Sequence, residues 1–223
     1  MTPHAVVIAA GLGTRLRPLT ERYAKPVLPI DGRPVIALLL RELAESGFDA
    51  ATIVIRHLGE QVERLVGDGS GFGLQVRYAR QASPDGSADA VLAAAPLAPY
   101  LVLGADTLFT RGDVGRFAVA FADSGAAGAI AVEDRPGTVE IRDGRVERML
   151  GKGRLAAPLW AVGPAVAGHV ETCLGEPPFE LALAFQHAID AGERVAGIQI
   201  GPTRDLTAPV DVLEENFPYL RNL

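Results

Sequence analysis

Short apolar runs alternate with longer amphipathic stretches through the first half of this chain, and glycine or proline punctuates most of the junctions. Residues 5–10, 51–55, 75–79, 100–104 and 129–133 read as strands. Residues 34–46, 61–66, 88–95 and 112–123 read as the helices between them. Pro34 stands where a helix starts, while Gly47, Gly67 and Pro96 stand where helices stop. Strands that alternate with helices argue for an α/β fold with a largely parallel sheet, and the run at 100–104 is apolar enough to be central.

The second half is more mixed. Residues 138–142 and 145–149 flank Asp143-Gly144, a strong short signal for a hairpin. Residues 159–162 and 195–200 read as further strands. Residues 165–174, 179–191 and 210–220 read as helices, the last interrupted by Pro218.

Composition narrows the class. A chain of 223 residues with 48% hydrophobic and 22% charged content suits an ordinary globular protein able to bury a full core. The net charge of −6 argues against a nucleic-acid surface but leaves room for one anionic ligand on local cations. Cys173 is alone, so no internal disulfide is possible, and the expected compartment is the cytoplasm. Residues 1–4 lack a cationic leader, and the longest apolar run, 35–40, is far too short to span a membrane.

Candidate chemistry is concentrated near the start. The strand at 5–10 runs into residues 11–20 (GLGTRLRPLT), and Lys25-Pro26 follows one short loop later. Glycines let backbone N–H groups approach phosphate oxygens, and fixed cations neutralise their charge. The spacing is not that of a P-loop, because Gly13 is followed by Thr14-Arg15, nor of a dinucleotide fingerprint, whose third glycine is replaced by Leu16. A second candidate is Asp106, directly after the apolar run 101–105, where a strand's carboxyl end would present it. His169 and Cys173 share a helix face, but no further His or Cys completes a zinc site.

Residues 11–20 with 25–36 (KPVLPIDGRPVI) resemble the signature of the sugar-1-phosphate nucleotidyltransferases, especially the glucose-1-phosphate thymidylyl- and uridylyltransferases. The resemblance implies a Rossmann-like, mixed and mostly parallel sheet flanked by helices. It implies one domain over 1–223, with a nucleotide-binding half at about 1–125 and a sugar-phosphate-binding half at about 126–223. It implies transfer of a nucleotidyl group to a sugar 1-phosphate with release of pyrophosphate. Arg15 and Lys25 would then stabilise developing charge. Ala10, Gly11, Gly13, Thr14, Gln81, Pro84 and Gly86 would hold the nucleotide. Gln81 and Gly86 match members that pair with a pyrimidine, which points to UTP or dTTP. Asp106 and Asp205 would hold Mg2+, and Ala105, in place of the usual glycine, would narrow the space beside the sugar phosphate. Gly137, Lys152, Trp160 and Glu180 would line the acceptor side, where the motifs depart most.

Residues 205–211 (DLTAPVD) resemble the family's closing motif, and the chain is expected to end shortly after it, without room for further C-terminal helices or a β-helix. The acceptor's identity, including a non-sugar phosphate, and the oligomeric state stay open. A noncatalytic nucleotide-sugar-sensing subunit is the rival reading. Loss of Arg15, Lys25 or Asp106 would favour it, and all three are present.

Overall fold

The computed structural model describes residues 4–83, 85–172 and 180–217. In chain order its elements begin with β1 (His4–Ala9), the two-residue strands β2 (Pro29–Ile30) and β3 (Arg33–Pro34), α1 (Val35–Glu45), β4 (Ala50–Ile55) and α2 (Gly59–Val66). They continue with β5 (Gln75–Arg80), α3 (Ser87–Ala94), β6 (Tyr100–Gly104), β7 (Thr107–Leu108), α4 (Asp113–Ser124) and β8 (Gly128–Gly137). Next come β9 (Glu140–Arg142), β10 (Arg145–Arg148), β11 (Gly153–Val162), α5 (Pro164–Thr172) and α6 (Leu181–Asp190). The last are β12 (Val195–Gln199), β13 (Arg204–Asp205) and α7 (Pro209–Asn216). Cys173, Phe179 and Pro218, to which the expected helices extend, lie outside the described residues.

Among the described residues nine strands form one sheet in the order β5-β4-β1-β6-β11-β8-β12-β10-β9. Only β11 and β10 oppose the others, so the sheet is mixed and mostly parallel, as the α/β reading expects. In β1 the side chains of Ala5, Val6 and Val7 are fully buried, because helices cover both faces. β4 and β5 extend the sheet on one side of β1, and α3 then carries the chain back to β6 on the other. That reversal opens a crevice at the carboxyl ends of β1 and β6, where open α/β sheets hold ligands.

Two core layers sandwich the sheet. One gathers Leu39, Leu43, Ile53 and Phe117, and the other gathers Val91, Val166 and Phe185. In α1 the buried positions Val35, Ile36, Leu39, Leu40 and Leu43 recur at helical spacing, so one broad stripe faces the core. A third cluster, of Leu16, Leu28, Ile30, Val35 and Leu206, lies under residues 13–30 and ties them to the end of the chain. Arg204 reinforces that tie with a bidentate pair to Asp31, at 2.7 and 2.9 Å, and a contact to Glu215 at 2.5 Å.

Asp143 and Gly144 both adopt positive φ, 49° and 74°, and close the β9–β10 hairpin as their dipeptide predicts. The strand expected at 159–162 is longer and begins at Gly153. Pro158 conceals it, since a proline cannot donate to a ladder. Register against β8 slips between Ala156 and Trp160, and Pro158 sits in that irregular stretch. Among the described residues no helix is long and apolar enough to cross a membrane.

Candidate active site

From the end of β1 the chain enters the crevice as a loop at residues 10–13. Gly13 has φ +61°, and a Cβ there would stand 2.7 Å from Thr20 Cγ2, so backbone and space both demand glycine. The buried Thr20 hydroxyl donates to the Gly13 carbonyl at 2.8 Å. Gly11 is exposed, and nothing lies within 4 Å of a Cβ built on it. The N–H groups of Gly11, Leu12 and Gly13 make no hydrogen bond to a described residue, which leaves them able to donate to an anion.

A single turn of 3-10 helix, Thr14–Leu16, leaves Arg15 exposed while Leu16 anchors in the core. A second turn, Lys25–Val27, carries Lys25. Residues following β4 clamp the segment before it. Gln61 accepts from the Ala24 N–H at 2.9 Å and donates to the Arg22 carbonyl at 2.7 Å. His57 Nε2 lies 3.0 Å from the Thr20 carbonyl, so that nitrogen carries the proton. Lys25 Nζ then meets Asp106 Oδ2 at 2.5 Å, beyond the carboxyl end of β6. Ala105 does not narrow the acceptor side. Its side chain is fully buried in the core just past the end of β6, and Gly104 lines the cavity instead.

Three cavities meet at Gly11. The first, about 380 Å³, is walled chiefly by Val102, Ala157, Pro158, Trp160 and Leu181, and Lys25 and Asp106 also border it. The second, about 190 Å³, is polar and holds Thr14, Arg15, Lys25, Asp106 and Thr207. The third, about 370 Å³, holds Ala10, Gln81, Gly86, Ser87 and Glu180. Lys25 and Asp106 are common to the first and second, while Gly13 and Thr14 are common to the second and third. A pocket lined by Gln81, Ser87 and the Glu180 carboxylate is thereby joined through a cationic one to an apolar one.

Gln81 is 6% exposed, and its amide nitrogen donates to the Gly86 carbonyl at 3.0 Å and to Asp89 Oδ2 at 2.8 Å. Both partners are acceptors, so the amide cannot be turned over without setting oxygen against oxygen. Gly86 has φ +118° and precedes α3, a conformation open to glycine and hostile to other residues. Pro84 lies outside the described residues.

The remaining expected site residues divide. Trp160 reaches the first cavity and packs edge-on against Phe185 with ring centroids 4.9 Å apart. Glu180 borders the third cavity rather than the first, and its carboxylate accepts from the Ser87 hydroxyl at 2.5 Å. Asp205 pairs its backbone with Thr107, next to Asp106. Its exposed carboxylate accepts from the Thr207 hydroxyl at 3.2 Å and borders none of the three cavities. Gly137 and Lys152 border none of them either. Gly137 lies where β8 meets β11, and a Cβ on it would come within 2.4 Å of the Arg154 carbonyl. Lys152 is exposed, and its backbone N–H donates to Glu140 at 3.0 Å. Among the described residues no three His, Cys, Asp or Glu gather as a metal cluster.

Several contributors were not marked by the sequence. Ser87, directly after Gly86, carried a legible helix-start signal. His57, Gln61 and Asp89 carried none, because their partners are set by the tertiary fold or by a helix turn around a loop.

Residues 4–152 match the family model described as Nucleotidyl transferase. The glucose-1-phosphate thymidylyltransferase of Streptomyces antibioticus is 31% identical over 98% of this chain and 67% of its own length. The N-acetylmuramate alpha-1-phosphate uridylyltransferase of Neisseria meningitidis serogroup B is 40% identical over 47% of each chain. The chain thus spans about half to two thirds of the length of these curated relatives. A crystal structure of UDP-glucose pyrophosphorylase complexed with UDP-glucose matches over 100% of both chains with a TM-score of 0.82. At 18% identity that match is a likeness of fold.

Proposed function

Because the chain belongs to the nucleotidyl transferase family, we propose that it transfers a nucleotidyl group from UTP or dTTP to a sugar 1-phosphate and releases pyrophosphate. The observation that carries this reading is the joining of three cavities at Gly11, with Lys25 and Asp106 common to the cationic and apolar ones. In this reading the whole chain works as one domain. The base occupies the third cavity, the triphosphate the second and the acceptor the first.

The acceptor phosphate is already ionised at neutral pH, so no general base is required. One of its oxygens attacks the α-phosphorus. The new P–O bond forms as the bond to the bridging oxygen breaks, and that electron pair leaves with pyrophosphate. Free N–H groups of residues 11–13 and the Arg15 guanidinium take up the charge of the triphosphate and of the leaving group. Lys25, shared by the two cavities, offsets the repulsion between the two anions as they meet.

A magnesium ion suits this donor set. Asp106 offers a hard oxygen to the cavity, and magnesium takes only one or two carboxylates beside phosphate oxygens and water. Asp106, with Asp205 as the second candidate carboxylate, would hold it, and when bound it supplies further charge neutralisation among the phosphates.

With its nitrogen committed to Gly86 and Asp89, Gln81 has only its carbonyl oxygen left for a base. Uracil and thymine present an N3–H that such an oxygen accepts, whereas cytosine presents an unprotonated N3. On the acceptor side Trp160 is the residue the cavity supports. Lys152 and Gly137 stand outside it, so the acceptor phosphate is assigned to Lys25. The apolar walls also favour a second reading, in which the acceptor's carbon skeleton carries few hydroxyls, since buried hydroxyls need partners.

The test is pyrophosphate release over a grid of the common triphosphates against hexose, deoxyhexose and short alkyl phosphates, with and without magnesium. Turnover confined to UTP or dTTP is expected, and Gln81→Ala should relax that preference more than it lowers the maximal rate. No release from any pair would overturn the reading in favour of a sensing subunit.

A further inference from the structure

We propose that Asp89 is the positioning residue that makes the base pocket select an imide base over cytosine. The inference rests on the assignment of the third cavity to the base. Asp89 is half-buried in the first turn of α3, and its Oδ2 accepts from Gln81 Nε2 at 2.8 Å. The Gly86 carbonyl accepts from the same nitrogen at 3.0 Å but also accepts from the Ala90 N–H at 3.2 Å, so it is already engaged by the helix. An ionised carboxylate offers acceptors only, and it draws the amide N–H groups toward itself. The Gln81 oxygen is thereby left without a partner among the described residues, and as Gln81 lines the cavity that oxygen is the atom left to accept from a ligand. A free glutamine amide would turn to suit either base, because it carries a donor and an acceptor in one plane. Asp89, together with the Gly86 carbonyl, removes that freedom, and Asp89 is the partner that a side-chain substitution can change.

The sign of the polarity at position 89 therefore sets the preference. An asparagine can keep its own oxygen toward Gln81 and preserve the arrangement. A lysine offers donors only, and its charge-assisted pull on the Gln81 oxygen outweighs the loss of the Gly86 contact, turning the nitrogen toward the base. UTP loses its acceptor and CTP gains a donor.

Equilibrium binding of UTP and CTP, measured by calorimetry with magnesium chloride and no acceptor, tests this on the whole chain. The wild-type protein is expected to bind UTP more tightly than CTP. Asp89→Asn should hold the CTP-to-UTP ratio of Kd within about threefold of wild type, and Asp89→Lys should lower it at least about tenfold, the scale of one exchanged hydrogen bond. Asp89→Leu, which offers neither donor nor acceptor, should fall between them and serves if the lysine variant does not fold. A wild-type ratio near one overturns the base assignment itself. A clear wild-type preference that a folded Asp89→Lys or Asp89→Leu protein keeps unchanged overturns the role of Asp89 while leaving the base assignment standing.

Discussion

The proposed phosphate end and the proposed acceptor end of the crevice are built differently. At the phosphate end, the loop after β1 and the turn bearing Lys25 are close in sequence, with Thr20 joining them through the Gly13 carbonyl. Each part there is needed for a local reason: positive φ at Gly13, free N–H groups at 11–13, a cation one loop later. At the acceptor end, the walls come from β6, the irregular stretch of β11 and the start of α6, which are remote in sequence. Their residues are mostly small or apolar, and what they contribute is shape. The difference teaches that charge neutralisation can be written into one short segment, whereas a binding surface for a variable carbon skeleton is assembled by packing.

The strongest way to break the comparison is at Lys25. Lys25→Ala should lower kcat/KM for pyrophosphate release by about 100- to 1000-fold, the scale of removing one preorganised group that meets developing charge. The melting temperature should stay close to wild type, because Lys25 pairs with a carboxylate that is itself partly open to water. Full activity would remove Lys25 from the chemistry. Next is Gly137. Gly137→Ala drives a methyl against the Arg154 carbonyl and the Leu155 backbone, so urea unfolding should show a loss of about 1–3 kcal/mol. A loss of acceptor affinity without a loss of stability would return Gly137 to the sugar site. The smallest effect belongs to Lys152. Lys152→Ala should change the acceptor KM by less than about threefold, within what an exposed surface change does. A tenfold rise would mean that the acceptor phosphate reaches beyond the apolar cavity.

The outcome for particular residues shows what was legible. Gly11, Gly13, Arg15 and Lys25, singled out because a phosphate loop needs backbone freedom and charge at fixed spacing, do come together around one cavity. Asp106 was readable because it follows an apolar strand, and the strand's carboxyl end opens on the crevice. Glu180 was placed on the acceptor side by resemblance, yet it reaches across to Ser87 and borders the third cavity, since the start of α6 abuts the start of α3. The strand was read only from residue 159, and the register slip that admits Pro158 also brings residues 156–158 to the cavity wall. The two-residue pairing of β7 with β13, which sets Asp205 beside Thr107, carries no pattern that a sequence could display.

The chain's own order of residues determined the alternating elements, the Asp143-Gly144 hairpin and the glycine-and-cation cradle. Each depends on torsion preference, hydrophobic period or charge within a few neighbours. Only the tertiary structure decided where β11 inserts beside β6, how His57 and Gln61 clamp the loop before Lys25, and which way the Gln81 amide faces. The first two depend on contacts between segments distant along the chain, and the third on a helix turn that brings Asp89 back beside Gln81; local propensity carries no record of either.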